Sequence, residues 1–494
     1  MTLQRTTEKY IYPATLLCDF YKVSHREQYP QGTEKVYSTW TPRASRIPNI
    51  DSVVAFGFQA FVKEYLIDYF NDNFFSRPER DVLEEYERVI RSTLGVEEPY
   101  SDHIAALHRL GYLPLRIKAV PEGTSVKIRT PLLTVENTLP EFFWVTNYIE
   151  TLMSCSLWQM CTSATLAKRF KSLLLGWAFK TGGSKDFVPF QGHDFSMRGM
   201  GSLQTAKYSA AGHLLSFVGT DSIPGILFLE EFYGANIEEE LVGTSIPATE
   251  HSVMCAYGQN ELDSYRNIIT NVYPNGYVSI VSDTWDLWKV LNGVIATLKP
   301  DILARDGKVV IRPDSGDPIK IICGDPLSDN PDAVRGVVEI LWDIFGGTVN
   351  EKGYKELDPH IGVIYGDAIT LERCDEICRQ LETKGFASTN MVYGIGSFTY
   401  QYNTRDTFSF ALKSTYARIA GEEKFLFKDP ITDNGIKKSQ TGMVTVWKTP
   451  WGIGFRDGLT EVERDAVEDD LLQDLFVDGK LVREDTLAEI RARI

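Results

Sequence analysis

Val309-Val-Ile-Arg312-Pro-Asp314-Ser-Gly316-Asp-Pro is the stretch that decides the fold. A β-branched apolar run ends in a turn that carries a cation, an acid and a glycine. Buried parallel strands end this way where they meet the working face of an α/β barrel. The same form recurs in Val278-Ser-Ile-Val-Ser-Asp283, Ile361-Gly-Val-Ile-Tyr-Gly366-Asp367 and Met391-Val-Tyr-Gly394-Ile-Gly396-Ser397. Helix-like stretches separate at least two of these runs. Taken singly, an acid after a strand is more often a helix N-cap than a ligand. Four such turns in series favour a site. Three acids, an Arg and glycine turns on one face suit a phosphorylated sugar bound partly through Mg²⁺.

Around this core the pattern changes. Residues 190–398 alternate β and α signals. Before them, residues 50–113 read as mostly helical, with Phe58, Phe61, Tyr65, Leu66 and Tyr69 at helical spacing. Leu115-Arg-Ile-Lys-Ala-Val, Val126-Lys-Ile-Arg and Leu132-Leu-Thr-Val, broken by Pro121-Glu-Gly, predict an antiparallel sheet. A long helical region follows from about Pro140 to Lys180 and stops at Gly182-Gly183. After Thr404 short strands and turns return. The expected fold class is α/β, an irregular α/β barrel inserted into a second, mixed α+β domain formed by both chain ends. The expected limits are 1–165 and 405–494 for the mixed domain and 166–404 for the barrel.

A chain of 494 residues exceeds the usual single-domain range, and 43% hydrophobic content supplies large cores. The formal net charge of −16 argues against nucleic acid as the main ligand. A small polyanion stays compatible, because a few cations and a metal make one local positive pocket. Seven scattered cysteines lack a metal-site spacing and read as free thiols of a reducing, cytoplasmic compartment. Leu16-Leu-Cys18 has no basic leader and is not read as a lipidation site. No run of eighteen apolar residues predicts a membrane span.

Chemistry at the anomeric carbon of a ribose bearing pyrophosphate passes through an electron-poor, oxocarbenium-like state. Such a site needs cations on the leaving group, carboxylates near the ribose hydroxyls or Mg²⁺, and amide donors on the 5′-phosphate. Asp283, Asp314 and Asp367 offer the carboxylates, Arg312 a planar fork, and Gly366, Gly394 and Gly396 close backbone approach. The metal is expected on the pyrophosphate, with Asp283 as the candidate protein ligand. Ser279 joins the substrate-binding set.

His193-Asp194-Phe195-Ser196-Met197-Arg198-Gly199, Gly219-Thr220-Asp221 and Ser245-Ile-Pro-Ala-Thr-Glu250-His251-Ser252 follow one another in the chain. In this order they resemble the nicotinamide phosphoribosyltransferase family, which are type II phosphoribosyltransferases. The resemblance begins at Leu16-Leu-Cys-Asp-Phe-Tyr21-Lys-Val-Ser-His25. It passes through Lys118-Ala-Val-Pro-Glu-Gly, Thr134-Val-Glu-Asn-Thr and the barrel turns, and ends near Phe427-Lys428-Asp-Pro.

The resemblance implies transfer of phosphoribose to nicotinamide in NAD salvage, with Mg²⁺ and ATP, by a homodimer with shared sites. It implies that Phe195 and the partner's Tyr21 sandwich the pyridine ring. Asp221 resembles the acceptor of the carboxamide NH₂, an anion that repels nicotinate. Arg198 and Arg312 resemble arginines around base and phosphates, and Asp314 the carboxylate near the ribose hydroxyls. Gly366, Asp367, Gly396 and Ser397 match the 5′-phosphate site. Arg43, Arg405, Lys413 and Lys428 match cations that reach the pyrophosphate or nucleotide from the second subunit. His251 matches the histidine that the family phosphorylates from ATP. Two departures stand out. The loop Gly394-Ile-Gly396-Ser397 is poorer in glycine than in vertebrate relatives, which shifts one phosphate contact toward the Ser397 hydroxyl. Ser196-Met197 replaces the more usual Gly-Tyr in the tunnel wall.

Without the resemblance, His251 and Phe195 read as core residues, and the nine tryptophans as packing. Other readings are nicotinate phosphoribosyltransferase on the same fold, a barrel glycosidase and a nucleotide sensor without turnover. Asp221 disfavours the first. A glycosidase wants paired carboxylates flanking the bond, commonly Glu, where this chain has Asp with Arg and Gly.

Overall fold

The computed structural model describes residues 12–428, 432 and 439–494. The last two residues of the Phe427-Lys428-Asp-Pro motif, like the first eleven of the chain, lie outside them. Two compact units are present, one of residues 1–162, 231–235 and 403–494, the other of residues 163–230 and 236–402.

In the first unit both chain ends build one seven-stranded sheet. Its strands run 422–425, 410–419, 33–42, 133–137, 115–119, 473–477 and 480–481 in spatial order, antiparallel throughout. Strand 33–42 is buried along most of its length, and Trp40 stacks on Phe410 with ring centroids 4.5 Å apart. Val126-Lys departs from the expected sheet and pairs instead with Ser52–Val54. The Pro121-Glu-Gly turn diverts it: Gly123, at φ +85°, donates to the Ala55 carbonyl, and Ala55 donates to Thr124. Residues 58–110 are mostly helical as expected, but Val62–Tyr69 and Asn71–Phe75 are wound as π-helix and depart from the 3.6-residue period. One helix runs 32 residues, Glu150–Thr181, to Gly182 at φ +75°.

The second unit holds six parallel strands: β1 (Gly192–Asp194), β2 (Gly219–Thr220), β3 (Val278–Val281), β4 (Val309–Arg312), β5 (Ile361–Tyr365) and β6 (Met391–Ile395). Their order is β2-β1-β6-β5-β4-β3. Residues 244–249 span the gap between the two edges. Thr244 exchanges bonds with Val218 and Thr220, while Thr249 and Pro247 bond Ser279 on β3. A curled sheet closed in this way is an irregular α/β barrel, as the alternating pattern predicts. Strands β3 and β5 are buried at every position, which explains their uninterrupted apolar runs.

Glu122 is a buried charge site that the fold must accommodate. Its carboxylate accepts from the Gly57 and Gln59 amides, both at 2.7 Å, and from the Tyr233 hydroxyl at 2.9 Å. Burial nevertheless pushes it up to about 7, against the pull of these donors. A carboxyl raised on folding stabilises fully below its unfolded value and loses that contribution as pH climbs through the folded one. Urea midpoints should therefore fall between pH 5 and 8, and E122Q, which cannot titrate, should lose this part of the slope. Its amide nitrogen faces a backbone donor, so E122Q should also be less stable by about 1–3 kcal/mol throughout.

Candidate functional site

Every strand of the second unit delivers a polar or aromatic group at its C-terminal end. Register places these ends side by side: Arg312 opposite Val281, Ile395 opposite Asp194, Asp194 opposite Thr220. Phe195 leaves β1 and is fixed by a bond from its amide to the Ile395 carbonyl, 3.0 Å. Its ring lies against bare backbone. A Cβ on Gly394 would stand 2.3 Å from Phe195 Cδ2, and one on Gly366 2.7 Å away. These two glycines thus have a use beyond phosphate approach, since a side chain at either would strike the Phe195 ring.

Asp221 follows β2. His193 Nε2 approaches its Oδ1 at 2.8 Å, and the Ser245 hydroxyl donates to the same oxygen at 2.6 Å. Burial raises this carboxyl, but the His193 and Ser245 bonds outweigh that and leave it below its ordinary value. At the end of β4, Arg312 donates through Nη2 to the Thr249 carbonyl at 2.7 Å, and its buried Nε has no partner. Ser279 is buried with its hydroxyl unpartnered. A cavity of about 300 Å³ is lined by His193, Phe195, Asp221, Ser279 and Arg312, and continues to Lys308. It is apolar with a few convergent polar groups, as small-molecule sites are.

Next to it stands an acidic corner. Asp283 Oδ2 accepts from the Asp314 amide at 2.8 Å and from the Ser315 hydroxyl at 2.5 Å, bracing the Arg312-Pro-Asp314 turn. Its Oδ1 is buried without a hydrogen-bond partner. His251 Nε2 lies 3.8 Å from Asp283 Oδ1 and 3.9 Å from Asp314 Oδ2, while Nδ1 meets Thr284 Oγ1 at 3.3 Å. Burial raises the Asp314 carboxyl, with Arg312 and His251 opposing and Asp283 and Asp367 adding to the rise. Among the described residues no three carboxylate, imidazole or thiol groups form a ready metal cage. The orphaned Asp283 Oδ1 and the neighbouring Asp314 fit Mg²⁺, which takes one or two carboxylates and completes its shell with phosphate oxygens and water.

Arg198 and Asp367 are exposed, and Gly396 has open space on its Cβ side. Ser397 Oγ sits over Gly199, where a Cβ would be 2.0 Å away. The remaining sequence-predicted residues belong to the first unit. Tyr21 is 55% exposed and edge-on to His25. Arg43 donates to the Ser409 carbonyl at 3.1 Å, and Arg405 pairs with Asp406. Burial lowers the Lys413 ammonium, and Arg43, Lys22 and Arg405 lower it further against Glu150, so all three lie within electrostatic range of Lys413. Lys428 is exposed, its amide bonded to Ser439. Sequence reasoning missed His193, Ser245 and Lys22. Each sits inside a quoted motif, but its partner lies 24 to 128 residues away.

Comparison with known proteins agrees with this geometry. Residues 190–480 match the family model described as the nicotinate phosphoribosyltransferase family, and residues 14–116 match the N-terminal domain of nicotinamide phosphoribosyltransferase. A curated relative from Acinetobacter baylyi, named nicotinamide phosphoribosyltransferase, is 49% identical over 96% of both chains. One of the same name from Mycoplasma pneumoniae is 36% identical over 85% of this chain and 92% of its own. Two solved structures share the fold. Nicotinate-nucleotide pyrophosphorylase from Pyrococcus furiosus has a TM-score of 0.56 at 16% identity, covering 99% of this chain and 97% of that one. Human nicotinic acid phosphoribosyltransferase has 0.50 at 15%, covering 97% and 93%.

The seat of Phe195 is directly testable. Gly394→Ala should destabilise the protein by about 1–3 kcal/mol through overpacking. Adding Phe195→Ala should recover much of that loss, giving a coupling energy in a double-mutant cycle of thermal melts. Additive effects would separate the ring from the glycine.

Proposed function

The chain belongs to the nicotinamide phosphoribosyltransferase family, and on that premise we propose that it joins nicotinamide to 5-phosphoribosyl 1-pyrophosphate. The products are nicotinamide mononucleotide and pyrophosphate, a step of NAD salvage. The observation that carries the choice of base is Asp221, an ionised acceptor at the wall of the cavity that Phe195 and Arg312 also line. An amide NH₂ donates to such a group, whereas a nicotinate carboxylate is repelled by it. The alternatives of a nicotinate enzyme and of a mere sensor are less well served by this arrangement.

The chain's own residues divide the work. Phe195 stacks on the pyridine ring and sets its plane. Arg312, anchored by the Thr249 carbonyl, keeps its unpartnered Nε for base or phosphate. Asp314 faces the ribose hydroxyls, where negative charge favours the oxocarbenium-like state as the C1–pyrophosphate bond breaks. Gly366, Asp367, Gly396 and Ser397 hold the 5′-phosphate. Mg²⁺, held by Asp283 and the pyrophosphate, would neutralise the leaving group. From a second copy of the chain come the partner's Tyr21, on the open face of the ring, and the cations Arg43, Arg405, Lys413 and Lys428.

His251 takes the γ-phosphoryl group of ATP on an imidazole nitrogen, releasing ADP. The transferred charge then lies beside Asp283 and Asp314, a placement that a cation makes favourable, so the ATP and Mg²⁺ readings belong together. The acidic surface gives nucleic acid no track, no helix among the described residues is long and apolar enough to cross a membrane, and the seven free cysteines suit the cytoplasm.

Pyrophosphate release with nicotinamide and nicotinate in parallel, with and without ATP, tests the reaction. Nicotinamide should be preferred and ATP should stimulate. His251→Ala should abolish the stimulation and leave a slow, ATP-independent rate. A folded mutant that is still stimulated would remove the phosphohistidine. Shared sites predict complementation: mixing inactive Asp314→Ala and Arg43→Ala chains should restore activity, because a mixed dimer has one site with neither lesion. Mixed dimers without activity would mean that each site is built within one chain.

A further inference from the structure

We propose that His193 is the positioning residue for Asp221, and that its hold on that carboxylate sets how strongly the base pocket rejects an acid in place of an amide. The inference rests on the reading of Asp221 as the base-selecting group. His193 closes β1 with its side chain 11% exposed, and Nε2 reaches Asp221 Oδ1 at 2.8 Å. Ser245 binds the same oxygen. Both donors hold Oδ1, which leaves Oδ2 for an incoming carboxamide.

The ring has a built seat. A Cβ on Gly219 would stand 2.7 Å from His193 Nδ1, so the facing strand β2 is bare where the imidazole packs. On its other side the imidazole lies 5.0 Å from the Phe195 ring, tilted by 60°. One residue thus touches the base-stacking ring and holds the carboxylate.

Electrostatics follow from the neighbours. His193 is faced by Asp221 after β2, by Ser245 of the closing segment, and by Arg312 of β4 through its attraction to Asp221. Asp194 adjoins it on β1, buried and bonded to the Ser196 amide and the Thr220 hydroxyl. His213, from helix Leu203–Leu214, is pushed down to about 4 by burial and stays neutral between the Tyr400 hydroxyl and the Gly219 carbonyl. An imidazole N–H held on Oδ1 fixes the Asp221 charge where it repels a carboxylate and accepts from an amide. No proton leaves or joins the substrate in this scheme.

The test is the ratio of kcat/KM for nicotinamide to that for nicotinate. H193A removes the donor and should lower the ratio about tenfold, as expected for loss of a hydrogen bond to a charged group. H193Q keeps an N–H donor and should restore much of the ratio, a rescue that a merely structural role would not show. S245A removes the other donor and should lower the ratio as well. D221N tests the premise separately: an unchanged ratio there sinks the base-selecting role itself. With D221N relaxed, a parent-like ratio in H193A, or an H193Q ratio as low as that of H193A, overturns the role of His193.

Discussion

The closure of the six-stranded sheet by residues 244–249 is the constraint on which the site depends. Parallel strands with open edges expose unpaired backbone groups, and β2 and β3 would each present such an edge. One segment satisfies both, through Thr244 on one side and Pro247 and Thr249 on the other. The same six residues carry functional groups inward. Ser245 binds Asp221, and the Thr249 carbonyl receives the Arg312 guanidinium. His251 follows two residues later as the start of a short helix whose N-cap is Glu250. Barrel closure and site assembly are therefore one event.

Charge is arranged locally against the global excess. The chain carries −16 overall, yet Lys22, Arg43 and Arg405 all act on Lys413 in the first unit, with Glu150 and Asp406 as counter-charges to Lys22 and Arg405. The second unit concentrates the opposite sign in Asp283 and Asp314 beside His251. An anionic sugar phosphate needs both: cations for its leaving group, and carboxylates for the electron-poor carbon and the metal.

Much of this was legible in the chain. Apolar runs ending in Arg312-Pro-Asp314 or Gly366-Asp367 revealed parallel strands and their active ends, because burial on both faces erases alternation. The polar turns at strand ends pointed to Asp283, Arg312 and Asp314 for the same reason, whereas Asp221 was reached only through the family resemblance. What stayed hidden was pairing at a distance. Nothing local marks Ser245 as the second donor to Asp221, nor Gly394 as the floor beneath Phe195, since a glycine's purpose there is set by a ring some 200 residues earlier. The Pro121-Glu-Gly turn misled for a related reason. Its bonds to Ala55 redirect Val126 away from the neighbouring strands, and Ala55 lies outside any local pattern.

The shared seven-stranded sheet has a consequence for how the protein is made. Strand 33–42 is flanked by 133–137 on one side and by 410–419 on the other. During synthesis the first partner is available early, but the second leaves the ribosome only after most of the chain has emerged. Residues 163–230 and 236–402, which hold the parallel strands, are complete by then. One edge of strand 33–42 consequently waits, unpaired, for the whole of that interval. The nascent chain is most exposed to misassociation there, at a strand that carries no part of the chemistry.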